Sequence, residues 1–216
     1  MTEELFKVDS NRPGMLVTID GPNGSGKTSL TEKVGAELRA RGAAVYDTHQ
    51  PSAGPLGQFA RTSEAELRGR SLACLVAADR HHQVDGELAE HLAAGEIVLC
   101  DRYIESSLVL QRIDGVALEF IVAINAGISR PDLRIRLRAE AETIHERLGA
   151  RKPDPTRRFE QTAAGAKELA LYEEADEFLD QAYGLPALVF DTTETDAAEL
   201  GARVASLIEA ERGQGR

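Results

Sequence analysis

The sequence predicts an α/β fold, a five-stranded parallel sheet flanked by helices on both faces in three layers. Three observations carry that expectation. Strand-like and helix-like patterns alternate along most of the chain, as they do where parallel strands are joined by helical crossovers. The runs "EIVLC" and "ALVF" are almost continuously apolar, as strands covered on both faces should be. A glycine-rich stretch separates the first long strand from the first long helix. With 216 residues and 42% hydrophobic content, the chain can build a sizeable core, and a single domain over 1–216 is expected.

Strands are expected at 15–20, 43–48, 96–100, 132–138 and 187–191. Helices are expected at 27–41, 56–69, 71–94, 103–110, 115–127, 140–150, 160–182 and 195–212. The first strand, "MLVTID", is an apolar run that ends in an acid, and the helix after the glycines sets Leu30, Val34 and Leu38 on one face. The second strand leads into "THQPSAGPLG", rich in turn formers, and the third into Asp101-Arg102-Tyr103. After the fourth strand and its helix comes "GARKPDPTRRFE", which gathers Arg151, Lys152, Arg157 and Arg158 around two prolines. That composition predicts an exposed loop able to fold over a site, a mobile lid at about 149–160. The polar ends, 1–12 and 212–216, are expected to be flexible.

A formal charge of −11 argues against non-specific binding to nucleic acid or to an anionic membrane surface. There is no signal-peptide-like apolar stretch in 1–12 and no apolar run of membrane-spanning length, so a cytoplasmic location and no membrane partner are expected. Cys74 and Cys100 are the only cysteines, and both are expected as buried free thiols of a reducing compartment.

The spacing Gly21-x-x-x-x-Gly26-Lys27-Thr28 is the phosphate-binding loop pattern, in strand–loop–helix context. A loop that wraps a polyphosphate turns its N–H groups inward, which needs glycine dihedrals, and the next helix aims its positive end at the same anion. Gly21, Pro22, Asn23, Gly24, Ser25, Gly26, Lys27, Thr28 and Ser29 are therefore the candidate ATP-binding residues, and the fold is expected to be that of the P-loop NTPases. Lys27 would reach the β- and γ-phosphates, and the Thr28 hydroxyl would hold Mg²⁺. Asp101, at the end of the third strand, is the second candidate Mg²⁺ ligand, with Asp20 able to share the task. Arg102 beside it would bind an acceptor phosphate. The loop itself contains no arginine, so Arg151, Arg157 and Arg158 are the candidates to neutralise the transferring phosphoryl group. No acid lies in "THQPSAGPLG" to serve as a base for a hydroxyl acceptor, which favours a phosphate acceptor, with Asp47 and Glu105 the remaining candidate bases.

Several segments in order resemble the thymidylate kinase family of nucleoside monophosphate kinases: "IDGPNGSGKTSL", "GPLGQFAR", "LACLVAADRHHQV", "DRYIESSLVLQ", "RPDLRIRL", "ERLGAR", "TRRFE" and "VFDTTETDAAEL". The resemblance implies ATP and Mg²⁺ as cofactors, a small-molecule nucleotide substrate and a homodimer. It implies that Arg102 binds the acceptor monophosphate, that Arg80 reaches the acceptor base, and that Ser106 and Ser107 line the acceptor pocket with Gln50, Pro51, Val76, Leu110 and Gln111. Family members usually carry aromatics where this chain has Val76 and Leu110, and Arg-Glu-Pro where it has His49-Gln50-Pro51. The implied acceptor is dTMP or a related or modified pyrimidine nucleotide. A kinase with a hydroxyl acceptor and a nucleotide-binding regulator without efficient transferase activity are the alternatives.

Overall fold

The computed structural model describes residues 4–7, 12–150, 158–161 and 165–214. In chain order the strands are β1 (Phe6–Lys7), β2 (Met15–Asp20), β3 (Val45–His49), β4 (Ile97–Asp101), β5 (Ile128–Ser129), β6 (Leu133–Arg138) and β7 (Ala187–Asp191). The α-helices are α1 (Lys27–Ala40), α2 (Pro55–Thr62), α3 (Gly69–Gln83), α4 (Ala89–Ala93), α5 (Ile104–Ile113), α6 (Leu118–Ile124), α7 (Ala141–Gly149), α8 (Arg158–Gln161), α9 (Ala166–Tyr183) and α10 (Ala197–Gln214). A π-helical turn, Val84–Leu88, joins α3 to α4, so the helix expected over 71–94 is interrupted rather than regular.

Five strands form one parallel sheet in the order β3-β4-β2-β6-β7. The period of two in a strand sorts the apolar residues to its two faces. Met15, Val17 and Ile19 of β2 and Ile97 and Leu99 of β4 pack with Leu30, Val34 and Leu38 of α1 and with Val204 and Ile208 of α10. Leu16, Val98 and Cys100 face the other way, toward Ile104 and Leu108 of α5 and Leu171 and Leu179 of α9. The register sets Ile19 opposite Asp101, and Asp101 opposite His49, so three strands end at one level.

Four expectations are corrected. The run "ALVF" lies in β7 at the edge of the sheet, where Leu188 and Val189 are exposed and only Phe190 is buried. Cys74 is exposed on α3, and only Cys100 is buried. Within the supposedly flexible first dozen residues, Leu5 and Phe6 are buried, and β1 pairs with β5 in a small second sheet. At the other end, α10 runs on through residue 214, and Arg212 donates to the Gly95 carbonyl at 2.7 Å. At the two ends what decides is a partner brought from elsewhere in the chain. Lid residues Arg151, Lys152 and Arg157 lie outside the described residues.

In the alternating strand β6, "LRIRLR", Arg138 is exposed but Arg134 is buried. Arg134 is 1% exposed and donates to Glu105 of α5 at 2.5 Å, to Asp176 of α9 at 2.7 Å and to the Leu185 carbonyl at 2.6 Å. Burial works against the Arg134 charge, but the two carboxylates more than restore it and hold its pKa above the ordinary value. The network ties α5 and α9 to the sheet. Arg134→Ala leaves the buried Glu105 carboxylate without its cation and is expected to lower the unfolding free energy by about 3–5 kcal/mol. Urea titration of the two proteins checks this, and a loss under about 1 kcal/mol would show that the helices dock without the pair.

Candidate functional site

The site forms where β2, β3 and β4 end, as open parallel sheets dictate. The turn after β2 holds Gly21, Gly24 and Gly26 at positive φ. Gly21 has φ 143°, and a Cβ there would lie 2.4 Å from the Leu137 carbonyl oxygen. Gly26, at φ 93°, is the residue from which α1 starts. Lys27 is 6% exposed and folds back along the loop, donating to the carbonyls of Gly21 and Pro22, each at 2.8 Å. Burial, and then the neighbouring Arg102 charge, bring its pKa down to about 7. A polyphosphate in the loop would reverse that balance, since an anion at the ammonium favours its charged form.

Arg102 follows β4. Its backbone N–H donates to the Ile19 carbonyl at 2.9 Å, which continues the β2–β4 ladder by one step. It then turns into the left-handed region at φ 71°, a conformation that costs a non-glycine residue about 1 kcal/mol or more and that gathers at functional sites. That turn aims the guanidinium at the phosphate loop, where it donates to the Asn23 side-chain oxygen, and to Ser106 Oγ at 3.2 Å.

A crevice of about 440 Å³ opens here, lined by Asn23, Lys27, Thr28, Gln50, Asp101 and Arg102, among others. Behind it lies a narrow pocket of about 40 Å³. All nine residues expected for the acceptor line it: Gln50, Pro51, Val76, Arg80, Arg102, Ser106, Ser107, Leu110 and Gln111. Of the expected ATP-binding residues, Asn23, Gly24, Gly26, Lys27 and Thr28 line the crevice. Gly21, Pro22 and Ser25 are buried in the loop, and Ser29 is exposed on α1.

Thr28 Oγ1 donates to Asp101 Oδ2 at 2.6 Å. Asp101 Oδ1 is buried and has no hydrogen-bond partner among the described residues. A hydroxyl and a carboxylate beside a phosphate loop form an oxygen donor set suited to a hard divalent cation. Among the described residues no three His, Cys, Asp or Glu side chains gather at one point. The protein thus offers such an ion an open edge to be completed by phosphate oxygens and water, which fits Mg²⁺.

Three of the expected site residues are engaged within the protein. Asp20 is 1% exposed and does not line the crevice; its Oδ1 accepts from Tyr103 N, Ser106 N and Ser106 Oγ at 3.1, 3.1 and 2.6 Å. Through Oδ1 it caps α5 from the neighbouring strand, while its Oδ2 is buried with no hydrogen-bond partner among the described residues. Arg80 is 1% exposed, and a guanidinium so buried must satisfy its N–H groups within the protein. It donates to Gln50 Oε1 at 2.7 Å, to Asn125 Oδ1, to the Tyr103 carbonyl at 3.2 Å and to Ser107 Oγ at 2.7 Å. It therefore braces the wall of the pocket that it also lines. Arg158 donates to both oxygens of Asp114, at 2.7 and 2.6 Å, and to the Glu64 carbonyl at 3.1 Å, and its guanidinium lies 4.1 Å from the Phe159 ring. A bidentate ion pair of this kind anchors α8 beside the acceptor pocket.

Sequence reasoning missed the residues that hold the loop after β3. Asp79 takes the Ser52 N–H and hydroxyl at 2.6 and 2.5 Å, while Gln83 accepts from Gln50 at 3.0 Å and donates to Thr48 at 2.9 Å. With Arg80, they make α3 a splint for residues 48–52. Asp79 adjoins Arg80 in "AADRHHQ", and the helical period would have set Gln83 one turn on. Phe159, the sole aromatic in "TRRFE", lines both cavities.

With this geometry in place, comparison with known proteins is informative. A family model described as thymidylate kinase matches residues 19–181, well over half of the chain. A probable thymidylate kinase of Caldivirga maquilingensis is 38% identical over 141 residues, which are 63% of this chain and 69% of that relative. A thymidylate kinase of Xanthomonas oryzae pv. oryzae is 37% identical over 144 residues, 66% of this chain and 63% of the relative. The similarity thus spans about two thirds of the length of these relatives. Among solved structures, a thymidylate kinase from Candida albicans superposes with a TM-score of 0.74, covering 94% of this chain and 93% of its own, at 18% identity. At that identity the match speaks for the fold, a P-loop α/β sheet with helices on both faces. The family model and the relatives together establish that the chain belongs to the thymidylate kinase family.

Proposed function

We propose that the protein transfers the γ-phosphoryl group of ATP to a nucleoside monophosphate, giving ADP and the nucleoside diphosphate, with dTMP or a related pyrimidine nucleotide as acceptor. The observation that carries this reading is the pair Lys27 and Arg102. Lys27 heads the helix after β2 and Arg102 follows the adjacent strand β4, and both line one crevice, with the expected acceptor pocket behind Arg102. Two cations so placed suit two phosphates meeting end to end: the phosphate loop and Lys27 hold the donor, and Arg102 holds the acceptor. An oxygen of the acceptor phosphate attacks the γ-phosphorus as the bond to the ADP oxygen breaks. That nucleophile is already ionised, so the step needs alignment and charge neutralisation rather than a base. Mg²⁺, held by Thr28 and Asp101, would neutralise charge on the β- and γ-oxygens. Arg151 and Arg157 remain the proposed sources of further positive charge.

The readings with a hydroxyl acceptor or without transfer gain no support. Asp47 is paired with Arg39 at 2.7 Å, and Glu105 with Arg134, so neither candidate base is poised for proton abstraction. Aliphatic Val76 and Leu110 line the acceptor pocket. Relative to aromatics in stacking geometry they forgo about 0.5–1.5 kcal/mol each. The family resemblance adds a homodimer to the proposal, and exposed Leu56 and Phe59 on α2 supply an apolar face for it. No helix among the described residues is long and apolar enough to cross a membrane.

Purified protein with ATP and Mg²⁺ is expected to release ADP with pyrimidine nucleoside monophosphates and not with the nucleosides. Turnover with nucleosides alone would overturn the reading. Lys27→Ala is expected to cut turnover by at least about 10²–10³-fold, the range for removing one preorganised charge-stabilising group. Arg102→Ala should raise KM for the monophosphate far more than KM for ATP, and unchanged kinetics would remove Arg102 from the acceptor site. Asp101→Asn is expected to raise the Mg²⁺ concentration needed for half-maximal rate, read from a metal titration at fixed ATP.

A further inference from the structure

Position 23, the third residue of the phosphate loop, carries a side chain that the phosphate-binding pattern does not require. Asn23 is 3% exposed. Its Oδ1 accepts from the Arg102 guanidinium, and its Nδ2 donates to the Phe159 carbonyl of α8 at 2.5 Å. The chemistry of the partners fixes which end of the amide faces which. A guanidinium can only donate and a backbone carbonyl can only accept, so the flipped amide would lose both bonds. Neither a carboxylate nor a hydrocarbon could serve the two partners at once.

The surroundings reinforce the junction. Helix α9, which follows α8, sets Glu168 and Tyr172 one turn apart on the face toward the loop. Tyr172 donates to the Gly21 carbonyl at 2.7 Å. The buried Glu168 carboxyl lies beside the Asn23 backbone N–H, Arg102 and Lys27; burial pushes its pKa up, while those groups draw it down. From the far side, Arg158 pins α8 to Asp114 at the end of α5. Phe159 of α8 in turn lines both the crevice and the acceptor pocket. One amide therefore connects the donor loop, the acceptor arginine and the helix above the acceptor.

We propose that Asn23 is a positioning residue that couples the seating of α8 over the acceptor pocket to the aim of Arg102. When α8 is seated, the Phe159 carbonyl holds the amide nitrogen, which turns the amide oxygen to Arg102 and sets the guanidinium toward the acceptor phosphate. This inference rests on the kinase reading above and adds to it the route by which the two substrate halves of the site sense each other.

Asn23→Asp separates the two bonds. The carboxylate keeps an oxygen for Arg102 but offers no donor to the Phe159 carbonyl and sets negative charge against it and against Glu168. Asn23→Ala removes both bonds. Hydrogen exchange is followed by mass spectrometry, with ADP and Mg²⁺ present and with and without dTMP at matched fractional occupancy. In the wild-type protein, dTMP is expected to slow exchange in the peptide that contains Phe159. Asn23→Asp is expected to bind dTMP but lose that slowing. Asn23→Ala is expected to lose the slowing and to bind dTMP at least about tenfold more weakly, as for loss of a hydrogen bond to a charged group. Exchange in α1 reports whether each variant is folded. The same dTMP-dependent slowing in either folded variant overturns the inference and leaves the kinase reading untouched. Failure of the wild-type protein to bind or phosphorylate any monophosphate overturns the kinase reading, and this inference with it.

Discussion

The site depends on a mutual repulsion that the fold holds in place. Lys27 heads the helix that follows β2, and Arg102 follows β4; these two strands are paired from Met15↔Ile97 to Ile19↔Asp101, and the ladder is extended by the bond from Arg102 N–H to the Ile19 carbonyl. Both cations are held by the backbone: one heads a helix that packs on the sheet, and the other stands in a left-handed turn. Burial first, and then their proximity, bring the Lys27 pKa down to about 7. An anion between them relieves the repulsion, so affinity for phosphate is built into the strand register before any specific recognition occurs.

Around that charge pair, buried polar side chains act as splints. Asp20 caps α5 and so fixes where Arg102 and Ser106 point. Asp79, Arg80 and Gln83 hold the loop after β3. Arg134, Glu105 and Asp176 bind α5 and α9 to β6. Most of these groups are buried, and each has at least one hydrogen-bond partner within the protein, as burial of a charge demands. The same logic explains the acceptor pocket. Its walls are set by groups already engaged with one another, which leaves Val76, Leu110 and the hydroxyl of Ser107 facing the space between them.

The strand and helix order could be read from the chain because periodicity reports burial directly. The five sheet strands fall within about two residues of their expected positions. The phosphate loop could be read because its glycines answer a local steric demand. The edge position of β7, the exposed Cys74 and the buried Leu5–Phe6 pair could not, because each depends on which element lies alongside. Asp20 and Arg80 show the same limit within the site. Sequence pattern brought both to the correct neighbourhood, and only the surrounding donors and acceptors decided that one caps a helix and the other braces a wall.

The sequence by itself determined the sheet, the phosphate loop and the set of side chains gathered at the strand ends, because backbone sterics and apolar period act over a few residues. The tertiary structure alone decided how those side chains divide their work. A buried donor or acceptor takes the partner that folding brings to it, and partners such as Asn23 and Phe159, or Arg158 and Asp114, are far apart in the chain.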